Sequence, residues 1–164
     1  MILQMRKVIS NTTPILSLLK INKLNILKEL YGEIIVPNAV FLEIEEGKNK
    51  PYYTDLKSIS WINILSIQDS KSLDRFEDLD AGEAEVIILA NEINADLIII
   101  DEILGRKHAN ILGLRLTGTL GILLKAKEEG HINSLKYLLD KLQEKGTWLN
   151  PKLIKSVLKL AKEN

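Results

Sequence analysis

The chain has 164 residues, of which 46% are hydrophobic and 27% charged, the composition of one ordinary globular domain rather than of a disordered chain. Its 22 lysines and arginines balance 22 aspartates and glutamates, so any contact with nucleic acid must depend on a local charge. The absence of cysteine excludes disulfides, thiolate nucleophiles and cysteine zinc sites, and together with an N-terminus unlike a signal peptide it predicts a cytoplasmic protein.

Five short apolar runs predict the strands of a sheet. Four of them are short and largely apolar and predict buried parallel strands, and three of these four are rich in β-branched residues. In chain order they are Lys7 to Ser10, Glu33 to Val36, Leu97 to Ile100 and Leu114 to Leu116. A further run, Trp61 to Ile67, alternates enough to predict an edge strand. All are far shorter than the roughly 20 residues of a membrane-spanning helix, so we expect no membrane span.

Amphipathic segments between the strands predict helices. Pro14 stands where the first helix should begin, with Thr12 or Thr13 as its cap, and Pro37 opens the next helical segment. Four glycines mark predicted helix ends: Gly32, Gly47, Gly113 and Gly130. This alternation predicts the α/β class, with a parallel sheet covered by helices on both sides.

The sequence after Gly130 is helical in pattern to its end. Two sets of apolar residues follow helix spacing, the first being Leu135, Leu138, Leu139 and Leu142 and the second Leu153, Ile154, Val157, Leu158 and Ala161. We interpret them as two antiparallel helices or as an appendage for a partner. The predicted division is a domain of residues 1–132 and a helical extension of residues 133–164 packed on it.

Acidic and amide residues stand at the predicted strand ends, where open parallel sheets place their chemistry. Asn11 follows the first strand, and Asp101 and Glu102 follow the strand that begins at Leu97. Glu43 lies in the helix after the second strand, and Glu83 begins the helix before Asp101. Oxygen ligands of this kind suit Mg²⁺ or Mn²⁺, ions that activate water and stabilise the charge formed when a phosphodiester is cleaved.

Each acidic residue also has a purely structural interpretation. Asp80, three positions before Glu83, is close to a capping box in which Glu83 would hold the helix N-terminus. Asp101 fits the N-cap of the next helix, and Glu43 fits an exposed helical charge. Glu85 is about 200° around the helix from Glu83, so we expect it to face solvent.

Two further pairs of residues are candidates for nucleic-acid binding. Thr117 and Thr119, after the last strand, either bind phosphate at a helix N-terminus or cap that helix. Arg106 and Lys107, one helical turn beyond Asp101, either hold a nucleic-acid backbone or are ordinary solvated charges.

The motifs VISNTTPIL, VPNAVFLEI, LDAGEAEVIILA, ADLIIIDEILGRKHA and LTGTLGILLKAKEEGHI occur in this order between Lys7 and Ile132. Together they resemble the PIN-domain superfamily, and within it a toxin-like prokaryotic family catalogued as a domain of unknown function. The resemblance implies a three-layer α/β/α fold and a ribonuclease that depends on Mg²⁺ or Mn²⁺. It also implies a toxin inhibited by a small antitoxin-like protein, and it suggests a homodimer.

Carried over by position, the acids of the family fall on Asn11, Glu43, Glu83 and Asp101, with Glu102 as an additional acid. PIN nucleases usually have aspartate where this chain has Asn11. Since metal affinity depends on the charge of the ligands, we expect a higher metal requirement, a lower rate, or a protein that binds RNA or a protein partner without turnover.

The first functional hypothesis is therefore an RNA endonuclease in which Asp101, Glu83 and Glu43 hold one or two cations, and the second is a non-catalytic protein of the same fold. Two other α/β functions fit less well. A phosphatase of the haloacid-dehalogenase type needs an aspartate nucleophile where Asn11 stands, and a dinucleotide-binding fold needs a glycine-rich turn that SNTTP lacks.

Overall fold

The computed structural model describes residues 6–163 and contains a five-stranded sheet in which every neighbouring pair of strands is parallel. The strands are β1 (Val8–Ser10), β2 (Ile34–Pro37), β3 (Ile62–Leu65), β4 (Leu97–Ile99) and β5 (Leu116–Thr117), in the order β3-β2-β1-β4-β5. The predicted parallel sheet is confirmed, and β3 lies at an edge as its alternating pattern indicated.

Eight α-helices connect and cover the described strands. They are α1 (Thr12–Lys20), α2 (Asn25–Tyr31), α3 (Asn38–Glu46), α4 (Ala81–Ile93), α5 (Ile103–Ile111), α6 (Thr119–Glu128), α7 (Leu135–Glu144) and α8 (Pro151–Leu160). Helix α6 packs against α1 and α2, whereas α4 packs against α5. The sheet is thus flanked by helices, which confirms the predicted α/β/α fold. Nowhere in residues 6–163 is a helix both long and apolar enough to cross a membrane.

A single aliphatic core joins the sheet to all of these helices. Strand residues such as Ile9 and Ile99 are fully inaccessible to solvent. The four predicted leucines of α7 are buried in this same core, while α8 adds the partly buried Ile154, Val157 and Leu158. The C-terminal helices therefore complete the core that the sheet begins.

Two helix N-termini differ from the sequence predictions. Asn11 occupies the N-cap position of α1 without a side-chain cap bond, so the prediction of a threonine cap was wrong. The hydroxyls of Thr12 and Thr13 instead donate hydrogen bonds to carboxylates on other elements.

The prediction that Glu85 faces solvent was also wrong. Because Pro37, the N-cap of α3, has no side-chain acceptor, Glu85 Oε1 accepts the N–H of Ala39 at 3.0 Å.

Candidate functional site

The order of the strands brings the end of β1 beside the end of β4. From β1 the chain continues to β2 and β3 on one side, and after α4 it returns to β4 on the other side of β1. Ligands of open parallel sheets bind at this kind of reversal. The backbone N–H of Asn11 donates to the carbonyl of Ile99 at 2.9 Å, so Asn11 stands directly next to the residues that follow β4.

Asn11 and Glu102 form the centre of this site. Asn11 is only 2% exposed, and its Nδ2 donates to Glu102 Oε2 at 3.0 Å. The hydroxyl of Thr13 donates to the other carboxylate oxygen at 2.5 Å. The Oδ1 atom of Asn11 is buried and has no hydrogen-bond donor among residues 6–163. A buried acceptor without a donor is unfavourable, and it is available for a cation or a water molecule.

Glu43 reaches the site from α3 and is not the exposed charge that its local sequence allowed. Its Oε2 accepts the hydroxyl of Thr12 at 2.5 Å, and its Oε1 accepts the N–H of Gly82 at 3.1 Å. A Cβ at Gly82 would lie only 2.6 Å from Glu43 Oε1, so the close approach of α3 to α4 needs this glycine. Burial raises the pKa of Glu43, and the negative charge of Asp80 raises it further.

Glu83 lies in the first turn of α4 and is 8% exposed. Asp80 Oδ1 accepts the backbone N–H of Glu83 at 2.8 Å, which is one half of the predicted capping box. The other half of a capping box, a hydrogen bond that the N–H of Asp80 would donate to the Glu83 carboxylate, is absent from the described structure. Instead, burial raises the pKa of Glu83 to about 8, helped by a side-chain hydrogen bond with Asp80 and by the charges of Asp80, Glu102 and Glu43. Glu83 is thus a carboxyl group that holds its proton near neutral pH.

Asp101 faces the N-terminus of α6. Its Oδ1 accepts the N–H of Thr119 at 2.7 Å, and its Oδ2 accepts the hydroxyl of Thr119 at 2.6 Å. The alternative that Asp101 caps the next helix in sequence is wrong, because Glu102 holds the N-cap position of α5. Burial raises the pKa of Asp101, although the two hydrogen bonds from Thr119 oppose this effect.

The four candidate RNA-binding residues have different surroundings. Thr119 is buried and its hydroxyl is used by Asp101, so the anion at the start of α6 is the protein's own carboxylate. Arg106 is half-buried and donates from Nη1 to the carbonyl of Ile100 at 3.0 Å. Lys107 is exposed, and Thr117 is half-buried at the end of β5. Only Lys107 and Thr117 therefore keep their side chains free of hydrogen bonds to other described residues.

The sequence analysis did not identify three residues that contact or affect the carboxylates of this site. Thr12 and Thr13 were assigned to a cap, and Asp80 was assigned to a cap alone, yet all three contact or electrostatically affect the carboxylates. The sequence signal that could have identified Thr12 and Thr13 is the position of their two hydroxyl side chains just after a buried strand.

The donor set fits a hard divalent cation by its chemistry. In residues 6–163 no three His, Cys, Asp or Glu side chains are arranged to hold a metal ion together. Glu43, Asp101 and Glu102 each accept two hydrogen bonds from other residues of the protein. However, Asn11 presents a buried oxygen without a donor, and burial and neighbouring negative charge raise the pKa of Glu83. A cation of two charges would satisfy the oxygen and relieve the charge. Which residues bind it stays a prediction.

Comparison with known proteins identifies the family. A family model described as a PIN domain (DUF3368) matches residues 7–163, a range that includes α7 and α8. A comparison with curated proteins found no match. PIN domains are generally nucleases, and they typically use divalent metals. Since the match covers nearly the whole chain and the fold agrees with it, the chain belongs to the PIN domain family.

Proposed function

We propose that this protein is an RNA endonuclease that depends on Mg²⁺ or Mn²⁺. The observation that carries the proposal is the buried, unpartnered Oδ1 of Asn11 next to Glu102, at the strand ends of a PIN fold. PIN domains are generally nucleases, and the oxygen-rich site supports the same chemistry here.

The side chains divide into ligands and supports. Asn11, Glu83 and Glu102 would hold the cation, and Glu43 and Asp101 would flank it. When bound, the cation polarises a water molecule and stabilises the negative charge of the phosphate during cleavage. Thr12 and Thr13 orient the carboxylates of Glu43 and Glu102 through their hydroxyls. Arg106 fixes the backbone after β4, because its guanidinium binds the carbonyl of Ile100.

The proposal is tested by cleavage of single-stranded RNA with Mg²⁺ or Mn²⁺ and with a chelator. Glu83→Gln keeps the shape of the side chain, removes the titrating carboxyl and should lower the rate by about 100-fold or more. Glu144→Gln, at an exposed position on α7, is the control and should cleave as the wild type does. Equal rates for the wild type and Glu83→Gln, or cleavage that persists in chelator, would overturn the proposal.

The role of toxin in a toxin–antitoxin pair is a separate proposal that rests on the family resemblance. Its test is growth after expression in a bacterial host. Arrest by the wild type and normal growth with Glu83→Gln would support it, whereas equal growth in the two cultures would contradict it.

A second candidate function is RNA binding without turnover. It is favoured by the hydrogen bond from Asn11 Nδ2 to Glu102, which an aspartate at this position could not donate. Under this alternative the wild type binds RNA without cutting it, and Asn11→Asp creates metal-dependent cleavage. Cleavage by the wild type at a full rate with Mg²⁺ would exclude it.

A further inference from the structure

We infer that a cleft along the edge strand β5 is a second binding site for RNA, one that holds a backbone phosphate of a strand that extends from the cleavage site. The inference rests on the proposed function. The cleft has a volume of about 180 Å³. Its lining includes Arg6, Tyr31, Arg115, Thr117, Gly121 and Lys125.

Positive charge in this cleft exceeds the negative charge around it. Arg6, Arg115 and Lys125 line it, and none of them forms an ion pair within the described part of the chain. Asp96 also lines the cleft, but one of its oxygens already accepts the backbone N–H of Lys7 at 2.7 Å. Glu129 also lies near enough to raise the pKa of the lining residue Tyr31, so three cations stand against two carboxylates. The concave surface therefore has an excess of positive charge that attracts anions, even though the whole chain has no net charge.

Hydrogen-bond donors converge on the same space. Lys125 Nζ lies 5.0 Å from the centre of the Tyr31 ring, a cation–π contact that fixes both groups. The hydroxyl of Thr117 donates no hydrogen bond to any residue that the structure describes. Gly121 leaves room for this hydroxyl, because a Cβ at Gly121 would clash with Thr117 Oγ1. Guanidinium, ammonium and hydroxyl donors together suit the oxygens of a phosphate.

The position of the cleft links it to the carboxylate site. Thr117 lines the cleft, and the next residue, Gly118, lies against Asp101, where a Cβ would approach Oδ1 to 2.6 Å. Arg6, Asp96 and Arg115 line the other end of the cleft, where β1, β4 and β5 begin, so the cleft extends along the edge of the sheet away from the carboxylates. An RNA strand whose scissile phosphate lies at the carboxylates can continue along this edge and place a phosphate further along its backbone in the cleft. Since this contact is with the backbone and not with base edges, it holds single-stranded RNA without reading its sequence.

The test is binding of a fluorescent single-stranded RNA, measured in chelator at several salt concentrations on the Glu83→Gln background. Arg115→Gln and Lys125→Gln should each weaken binding by about fivefold and reduce the slope of log K against log salt by about 0.7. Lys141→Gln is the matched control, because Lys141 Nζ makes a similar contact with the Tyr137 ring at 5.2 Å on α7. It should leave both quantities unchanged. Melting temperatures equal to that of the parent exclude loss of folding as the cause.

Unchanged affinity and slope in the two cleft variants, or no RNA binding by the parent, would overturn the inference. Equal displacement of the RNA by polyglutamate would overturn its assignment to RNA. The result is separable from the proposed activity, because binding in chelator is measured without cleavage. If RNA binds through the cleft but the wild type never cuts it, the nuclease proposal fails while the cleft stands.

Discussion

Glu83 at the strand ends and Glu163 beside the C-terminal helices both have side chains with little exposure to solvent. However, the pKa values of their carboxyl groups are shifted in opposite directions from that of an ordinary glutamate. Burial would raise the pKa of Glu163, but the N–H groups of Leu135 and Lys136 and the side chains of Lys127 and Ser134 outweigh burial and lower it to about 2. Burial and neighbouring acids raise the pKa of Glu83 to about 8.

Under the proposed function, Glu163 is a structural carboxylate and Glu83 belongs to the functional site. Glu163 receives donors from the first turn of α7 and an ammonium group, so its negative charge stabilises the fold. Glu83 is surrounded by Asp80, Glu102 and Glu43, and the described residues give it no cation. A buried carboxyl group that keeps its proton in a cluster of acids is characteristic of a functional site.

The largest expected effect is stabilisation by added metal. Mn²⁺ at about 100 times its dissociation constant should stabilise the folded protein by about 2.7 kcal/mol. The melting temperature should rise in the wild type and in Glu163→Gln but not in Glu83→Gln. Thermal unfolding with and without Mn²⁺ measures this, and an equal rise in Glu83→Gln would remove Glu83 from the metal site.

Without metal, substitution of Glu163 should lower the free energy of unfolding more than substitution of Glu83. Glu163→Gln places an amide among donors and should lower the free energy of unfolding by about 2 kcal/mol. Glu83→Gln replaces a carboxyl group that is protonated near neutral pH with a neutral amide of the same shape and should cause no loss. Urea unfolding measures both, with the exposed Glu144→Gln on α7 as control. A larger loss in Glu83→Gln than in Glu163→Gln would reverse the comparison.

The contributions of Glu83 and Glu163 to stability should also depend on pH with opposite signs. Glu83 has a pKa of about 8 when folded against an ordinary 4.5, so the folded state retains a proton that the unfolded state releases. Its contribution to stability falls as the pH rises between these values. Glu163 has a pKa of about 2 when folded, so its contribution is full above 4.5 and is lost as the pH falls toward 2.

Urea unfolding of metal-free protein across both pH ranges tests these signs. The advantage of Glu83→Gln over the wild type should grow as the pH rises from 4.5 to 8. The defect of Glu163→Gln should disappear toward acidic pH. A constant difference for either variant would contradict its assigned pKa shift.

The smallest effect is expected at Thr12, which we propose supports the site without binding the cation. Thr12→Val removes the hydroxyl that donates to Glu43 at 2.5 Å and should cost about 1 kcal/mol. Cleavage should fall less than in Glu83→Gln. Thr54→Val is the control, because the Thr54 hydroxyl has no hydrogen bond to the residues described here. Equal stability of the two variants would show that the hydrogen bond from the Thr12 hydroxyl to Glu43 does not stabilise the folded protein.

Local sequence predicted the fold well because the three central strands, β1, β2 and β4, are runs rich in β-branched residues that the sheet largely buries on both faces. The run Trp61 to Ile67 alternates, and β3 indeed lies at an edge with Ile62 buried and Asn63 exposed. Gly32, Gly113 and Gly130 have positive φ angles at helix ends, a backbone conformation that glycine adopts without strain.

The contacts within the site were less predictable, because they join residues far apart in the chain. Asp101 caps α6 rather than the adjacent α5, across 18 positions of sequence. Asn11 meets Glu102 across 91 positions, and only the order of the strands brings them together. Local rules select a cap from neighbouring residues, so they assigned Thr12 and Thr13 to α1 and missed their bonds to carboxylates.

Calorimetry of Mn²⁺ binding near neutral pH, in buffers of different ionisation enthalpy, tests the central claim most directly. If the strand-end carboxylates form a cation site, Glu83 must release its proton when the ion binds, so the wild type should release about one proton per Mn²⁺ and Glu83→Gln should release none. Binding without proton release by the wild type, or the same release by Glu83→Gln, would contradict the account.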